Sequence, residues 1–255
     1  MCLILVAWQA HPDFPLVIAA NRDEFFARPA AAAAWWKEQP EIFAGRDLEA
    51  GGTWLGLSRS GRFAGLTNFR DPSRQRAGTP SRGDLVASFL RSTETTAAAL
   101  ARLQQEGRRY NGFNLMLSDG DSLGVHESVS GVSHLLEPGL YALSNDLLDT
   151  PWPKAVAGKS RLSRALTALP DDTPLRELLR DDRPAPDESL PRTGVSLAWE
   201  RMLSSAFIRA PGYGTRCSTV IRRSRHGWTH VTESTWDEVG QETDRVTETF
   251  QIARP

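Results

Sequence analysis

At 255 residues the chain can bury a substantial core, as one large domain or two small ones. A formal net charge of −1 points to no nucleic acid and no anionic membrane as a partner. No apolar stretch reaches the ~20 residues of a membrane span, the opening run lacks the basic flank and cleavage site of a signal peptide, and two cysteines, Cys2 and Cys217, form neither a disulfide framework nor a zinc site. A soluble cytoplasmic protein without stable membrane insertion is the expectation.

The first predicted element is the apolar run Leu3 to Trp8, directly after Cys2. The second is Leu16 to Ala20, across a loop holding Pro12. Two β-rich runs around such a loop predict a hairpin. The second run ends in Asn21-Arg22-Asp23-Glu24, which the hairpin returns to the level of Cys2. Aminopeptidase removal of Met1 would leave a thiol and a free α-amine on one residue. With a pKa near ~8, that amine can take the thiol's proton, so the nucleophile carries its own base. The plainer alternative makes Cys2 a small buried apolar residue and the polar block a solvated hairpin end.

After the block, Pro29, the alanine run 30–34 and the pair Trp35-Trp36 predict an irregular or weakly helical stretch over an apolar surface. Ile42 to Gly45 is a short strand. Thr53 to Ser58 and Arg62 to Asn68 flank Ser60-Gly61, the clearest hairpin in the chain. Gly56 and Gly65 within it predict close approach of a backbone or ligand. The polar loop Arg70 to Arg82 holds Pro72, Gly78, Pro80 and four arginines, enough for a lid whose charges could receive an acidic group. Ser81 suits the N-cap of a helix through Leu90; a second helix runs from about Thr95 to Gln105. Four short strands then fall between Phe113 and Leu143, the last ending at Ser144-Asn145-Asp146. Helices over about 154–169 and 174–179, a Pro- and Asp-rich loop to Pro191, a short helix near Trp199 to Leu203 and three final strands complete the chain. Hairpin connections dominate over βα alternation. That predicts an α+β fold with antiparallel sheets covered by helices, and no compositional break divides 1–255 into separate domains.

Polar residues therefore recur at strand ends: Cys2, Asn21-Arg22-Asp23-Glu24, Asn68, Asn145 and Arg216. Here the sequence resembles the NRDE family, also called the transport and Golgi organisation 2 family. The blocks that carry the resemblance are Met1-Cys2, Ala20 to Phe25, Gly51 to Gly56, Thr67-Asn68, Tyr110 to Leu115, Leu143 to Asn145, Thr150-Pro151-Trp152 with Lys154, and Gly212 to Arg216. The resemblance implies a four-layer αββα fold like that of the N-terminal-nucleophile hydrolases, with a more distant likeness to the choloylglycine hydrolase and penicillin V acylase group. Carried over residue by residue, it implies Cys2 as nucleophile, Asp23 holding its α-amine, Asn68 at the oxyanion and Asn145 as a second polar strand end. Asn21, Arg22, Glu24 and Arg216 would then contact substrate. One position departs from the acylases: Ala20 stands where they carry an arginine three residues before the aspartate.

Two functions follow from the resemblance. One is a cysteine hydrolase acting on a non-peptide C–N bond of a small acyl compound, with no cofactor required. The other is non-enzymatic binding and trafficking of a lipophilic molecule, haem or acyl-CoA. None of the five histidines sits in a recognisable haem motif, a surface or core histidine being the plainer reading of each; Cys2 or Cys217 could bind the iron as thiolate, and simple burial is the alternative for Cys217.

Overall fold

The apolar run after Cys2 forms strand β1 (Cys2–Trp8), buried along its whole length, and the second run forms β2 (Leu16–Phe25). They pair as an antiparallel hairpin that sets Cys2 opposite Arg22 and Ile4 opposite Ala20. These elements belong to a computed structural model of the chain, which describes residues 2–252. A second sheet begins with β3 (Ala30–Trp35), β4 (Ile42–Asp47), β5 (Leu55–Ser58) and β6 (Phe63–Asn68). After helices α1 (Gly83–Arg91) and α2 (Thr96–Glu106) it continues through β7 (Phe113–Ser118), β8 (Leu123–Glu127) and β9 (Val132–Leu136). Its spatial order is the chain order, β3 to β9.

The first sheet draws on both halves of the chain. After β10 (Gly139–Leu143) come α3 (Pro153–Ala165), α4 (Thr173–Leu178), α5 (Leu197–Leu203) and the short β11 (Arg209–Ala210). The last strands are β12 (Tyr213–Arg223), β13 (Trp228–Trp236) and β14 (Glu242–Gln251). The order is β10-β1-β2-β12-β13-β14, with β11 paired to β12, and every pairing is antiparallel. The hairpin carrying Cys2 thus lies in mid-sheet.

Strand alternation sorts side chains into three apolar layers. Ile4, Val6 and Ile18 meet Phe63, Met116 and Val125 between the sheets. Leu85, Phe89 and Leu103 of α1 and α2 cover Ile42, Ala64 and Leu115. Leu162, Leu175 and Leu178 of α3 and α4 cover Leu3, Leu5 and Val17 on the far side. The architecture is α+β with antiparallel sheets, as the order of strands and helices predicts, in the four layers αββα that the resemblance implies. No described helix is long and apolar enough to cross a membrane.

Two local expectations are corrected. The alanine run is a strand, because β3 pairs with β4 in antiparallel register and tertiary pairing overrides the helical preference of alanine. Ser81 does not cap α1 with its side chain; Arg82, itself in helical conformation, occupies the cap position. The glycines of the clear hairpin do mark close approach. A Cβ on Gly56 would come within 2.8 Å of Ala44 and 2.9 Å of Leu90, so its absence lets α1 press onto the sheet.

Candidate active site

Residues directly opposite in antiparallel strands share a face. Cys2 lies opposite Arg22 on one side of β2, and Cys217 of β12 lies opposite Arg22 on the other. The row Cys2–Arg22–Cys217 therefore faces one way, into a cavity of about 410 Å³ at the ends of both sheets. Its apolar sector comes from Ala30 to Ala32, Trp54 and Leu66. The small alanines of β3 leave this space open; longer side chains would fill it.

The pairing of β12 with β2 slips between Thr215, opposite Asp23, and Cys217, opposite Arg22. Arg216 is the extra residue of this bulge, a device that re-aims a side chain. It lies on the cavity wall, where Nη1 donates to the carbonyls of Phe25 and Arg28 at 2.9 Å each. Its guanidinium stacks over the Phe26 ring, 5.1 Å from the centroid.

Beside Cys2, the backbone N–H of Asp23 favours the thiolate. Burial pushes the Cys2 thiol up and the charge of Asp23 adds to this, while Arg22 pulls the other way. The Asp23 carboxylate is 1% exposed and Oδ1 accepts the Thr215 hydroxyl at 2.7 Å. Burial raises this carboxyl too, opposed chiefly by the charge of Lys154. Lys154, in the first turn of α3, is itself buried, and its Nζ has no hydrogen-bond partner among the described residues. Desolvation lowers that ammonium to about 8.

The other expected site residues fall in different places. Asn68 and Glu24 line the cavity with Cys2, Arg22, Asp23 and Arg216. Asn145 does not; its Nδ2 donates to the Asn68 carbonyl at 2.8 Å, fixing that strand end from behind. Asn21 lies on the helical face of the sheet. Its Nδ2 bridges the carbonyls of Leu179 (2.8 Å) and Ala206 (2.7 Å), and Oδ1 accepts the Ser218 hydroxyl at 2.6 Å. It is placed to hold loops onto β2 and does not line the cavity.

The arginines of the 70–82 loop also separate. Arg70 is buried against Glu200, 3.0 Å away, with its guanidinium 4.5 Å from the Trp152 ring centroid. Arg74 pairs with Asp71, and Arg76 is tied to the Arg108 and Tyr110 carbonyls. Asn111 clamps the loop further by bonding both Arg76 main-chain groups and the Thr79 hydroxyl. Thr79 to Arg82 form one cavity wall, and Arg82 is the only arginine of that loop lining it.

Residue patterns alone gave no role to Lys154, Arg28 or Glu233; of the four loop arginines expected to receive an acidic group, only Arg82 reaches the cavity. Glu233 is buried, with Oε1 accepting from Ala33 N–H at 2.7 Å and Oε2 from the Thr219 hydroxyl at 2.9 Å. Its sequence signal was a carboxylate at an inward position of a strand. Lys154 had a fainter one, as one of three lysines in an arginine-rich chain.

Residues 1–238, nearly the whole chain, match the family described as transport and Golgi organisation 2. The chain belongs to this family. A Bos taurus relative, transport and Golgi organization protein 2 homolog, is 37% identical over 274 residues, covering 96% of each chain. The Homo sapiens protein of the same description is 36% identical with 91% of each chain covered. The Drosophila melanogaster protein is 28% identical, with 92% of each covered. Similar solved structures include a mutant conjugated bile acid hydrolase from Clostridium perfringens (TM-score 0.46, 10% identity, 99% of this chain and 92% of that one). Another is the Caenorhabditis elegans ortholog of N-acylethanolamine-hydrolyzing acid amidase (TM-score 0.46, 9% identity, 86% and 92% covered). At that level of likeness neither carries an argument about activity.

Proposed function

We propose that the protein is a cysteine hydrolase of the N-terminal-nucleophile type, cleaving a C–N bond of a small acyl compound. The observation that carries the reading is the place of Cys2, which lines the 410 Å³ cavity beside Arg22, Asp23 and Asn68. A volume of that size suits a small ligand. Asn68 and an apolar sector share the same space.

In the proposed reaction Met1 has been removed. The Cys2 α-amine takes the thiol proton while sulfur attacks the acyl carbon. The side-chain amide of Asn68 donates to the oxygen that becomes negative. The protonated amine then gives its proton to the leaving nitrogen as the C–N bond breaks. Water attacks the remaining thioester, releasing the acid and restoring the thiol. Asp23 holds the amine; Lys154 keeps the Asp23 carboxylate charged despite burial; Asn145 holds the Asn68 strand end.

Binding without turnover is the second reading, favoured by the arginines around the cavity. An acyl-CoA phosphate or a haem carboxylate could meet them. Haem fits less well: its iron would have to take Cys2 or Cys217, and burial disfavours the thiolate of both.

Intact-mass measurement with a panel of acyl amides and thioesters tests the proposal. We expect loss of Met1, an acyl adduct on Cys2, and turnover that falls at least about a hundredfold in Cys2→Ser. Absence of both adduct and turnover, with haem or acyl-CoA binding intact in Cys2→Ser, would replace hydrolysis by carriage.

A further inference from the structure

Five arginines line the cavity: Arg22, Arg28, Arg46, Arg82 and Arg216. Two are already matched by carboxylates. Arg28 Nε donates to Asp47 Oδ2 at 2.7 Å, and Arg46 pairs with Glu38. The other three are not matched in this way. Arg22 is 8% exposed, and its buried Nη1 has no hydrogen-bond partner among the described residues. Its one ionic contact, 3.7 Å to the Asp47 oxygen that Arg28 already holds, is beyond hydrogen-bond reach. Among the described residues Arg216 donates only to carbonyls, and its buried Nε has no partner there. The Nη1 of Arg82 donates to the Gly112 carbonyl at 3.1 Å.

Among the described residues no cavity carboxylate hydrogen-bonds these three, though the charge of Glu24 acts on Arg82 and Arg216 and Asp23 accepts the Thr215 hydroxyl. Glu233 is occupied by Ala33 and Thr219, and Asp47 also accepts from the N–H groups of Glu49 and Ala50. Glu24 turns one oxygen to the Phe25 N–H. A guanidinium withdrawn from water without a matched carboxylate, as Arg22 is, is costly, and Arg82 and Arg216 are part-buried beside it. Around one cavity they form a receptor for a bidentate anion.

The geometry points to an anion subsite formed by Arg22, Arg82 and Arg216, which takes an acyl compound carrying a carboxylate or phosphate close to its reactive carbonyl. The closeness follows from register. Arg22 is directly opposite Cys2, where paired Cα atoms lie about 4.5–5.5 Å apart. The inference deepens the hydrolase reading by naming its substrate class and rests on that reading for the chemistry alone.

Alkylation of Cys2 tests the subsite without requiring turnover. Iodoacetate and iodoacetamide both react as sulfur displaces iodide and the thiol proton passes to solvent; they differ in one negative charge. Each rate is read by peptide mapping, which separates Cys2 from Cys217, and is divided by the rate for free cysteine. We expect a relative preference for iodoacetate of about tenfold or more, the scale of one charge-assisted hydrogen bond. That preference should saturate with reagent and shrink toward unity in Arg82→Gln and Arg216→Gln. Either substitution lies on a loop or bulge, so folding is checked by circular dichroism, and Arg28→Gln serves as a control with its own carboxylate partner. Protection of Cys2 by inorganic phosphate at lower concentration than acetate assigns a phosphate-bearing compound; the reverse order assigns a carboxylate. No preference for iodoacetate together with no protection by either ion overturns the subsite. A preserved preference without turnover on any acyl probe sinks the hydrolase reading instead.

Discussion

Lys154 is the residue whose environment is most at odds with its charge. It is 4% exposed, its Nζ has no hydrogen-bond partner among the described residues, and burial lowers it from 10.5 to about 8. The sign of the resulting pH dependence follows from where the proton sits. Between pH 8 and 10.5 the unfolded chain keeps the proton that the folded chain has lost, so stability rises with pH across this window. Below pH 8 both states are protonated and the full cost of the buried cation is present. Denaturant unfolding of wild type and Lys154→Met should therefore diverge with pH. The wild type gains up to about 3 kcal/mol on the variant from pH 8 to 10.5, and a flat difference would refute the burial account. At this scale the sequence disclosed part of the site. Cys2, Asp23, Glu24, Asn68 and Arg216 end or interrupt apolar strands, and strand tips of paired sheets converge. Arg82 was one of four loop arginines that could receive an acidic group, and only the packing of the loop singles it out; Glu233 was not legible, because only the position of β13 brings it to the cavity.

Among the elements, β2 divides its labour by face. Arg22 points to the cavity, while Asn21 points to the helices and binds two main-chain carbonyls and a hydroxyl. Asn21→Ala would leave those buried groups unmatched and should cost about 3 kcal/mol in unfolding free energy. The rate of Cys2 alkylation in the folded state should stay unchanged. A variant that altered alkylation and kept its stability would make Asn21 a ligand contact after all. Apolar, β-rich runs bounded by turn residues made most strands readable, and the Ser60-Gly61 turn fixed the β5–β6 hairpin. The alanines of β3 misled because their local preference is helical, and only the pairing with β4 makes them a strand. The bulge at Arg216 was equally hidden, since it is a property of two strands and neither shows it alone.

The whole molecule closes late. Strand β2 is flanked by β1, the first strand made, and by β12, which begins at residue 213. Such distant pairings are slow to form, and Arg216, Cys217 and Glu233 reach the cavity only when they do. Cys2, in mid-sheet and 8% exposed, then stands on a wall enclosed by residues from both ends of the chain. This gives the trimming of residue 1 a timetable. An aminopeptidase needs its substrate's end extended in its own active site, and Cys2, the residue it must expose, is buried once the sheet is complete. The proposed reaction therefore requires the cut before β12 joins β2 and completes the sheet around Cys2. Protein made with Met1 retained should resist methionine aminopeptidase when folded and accept it when unfolded in mild denaturant, with intact mass as the readout; ready cleavage of the folded form would show that the window never shuts.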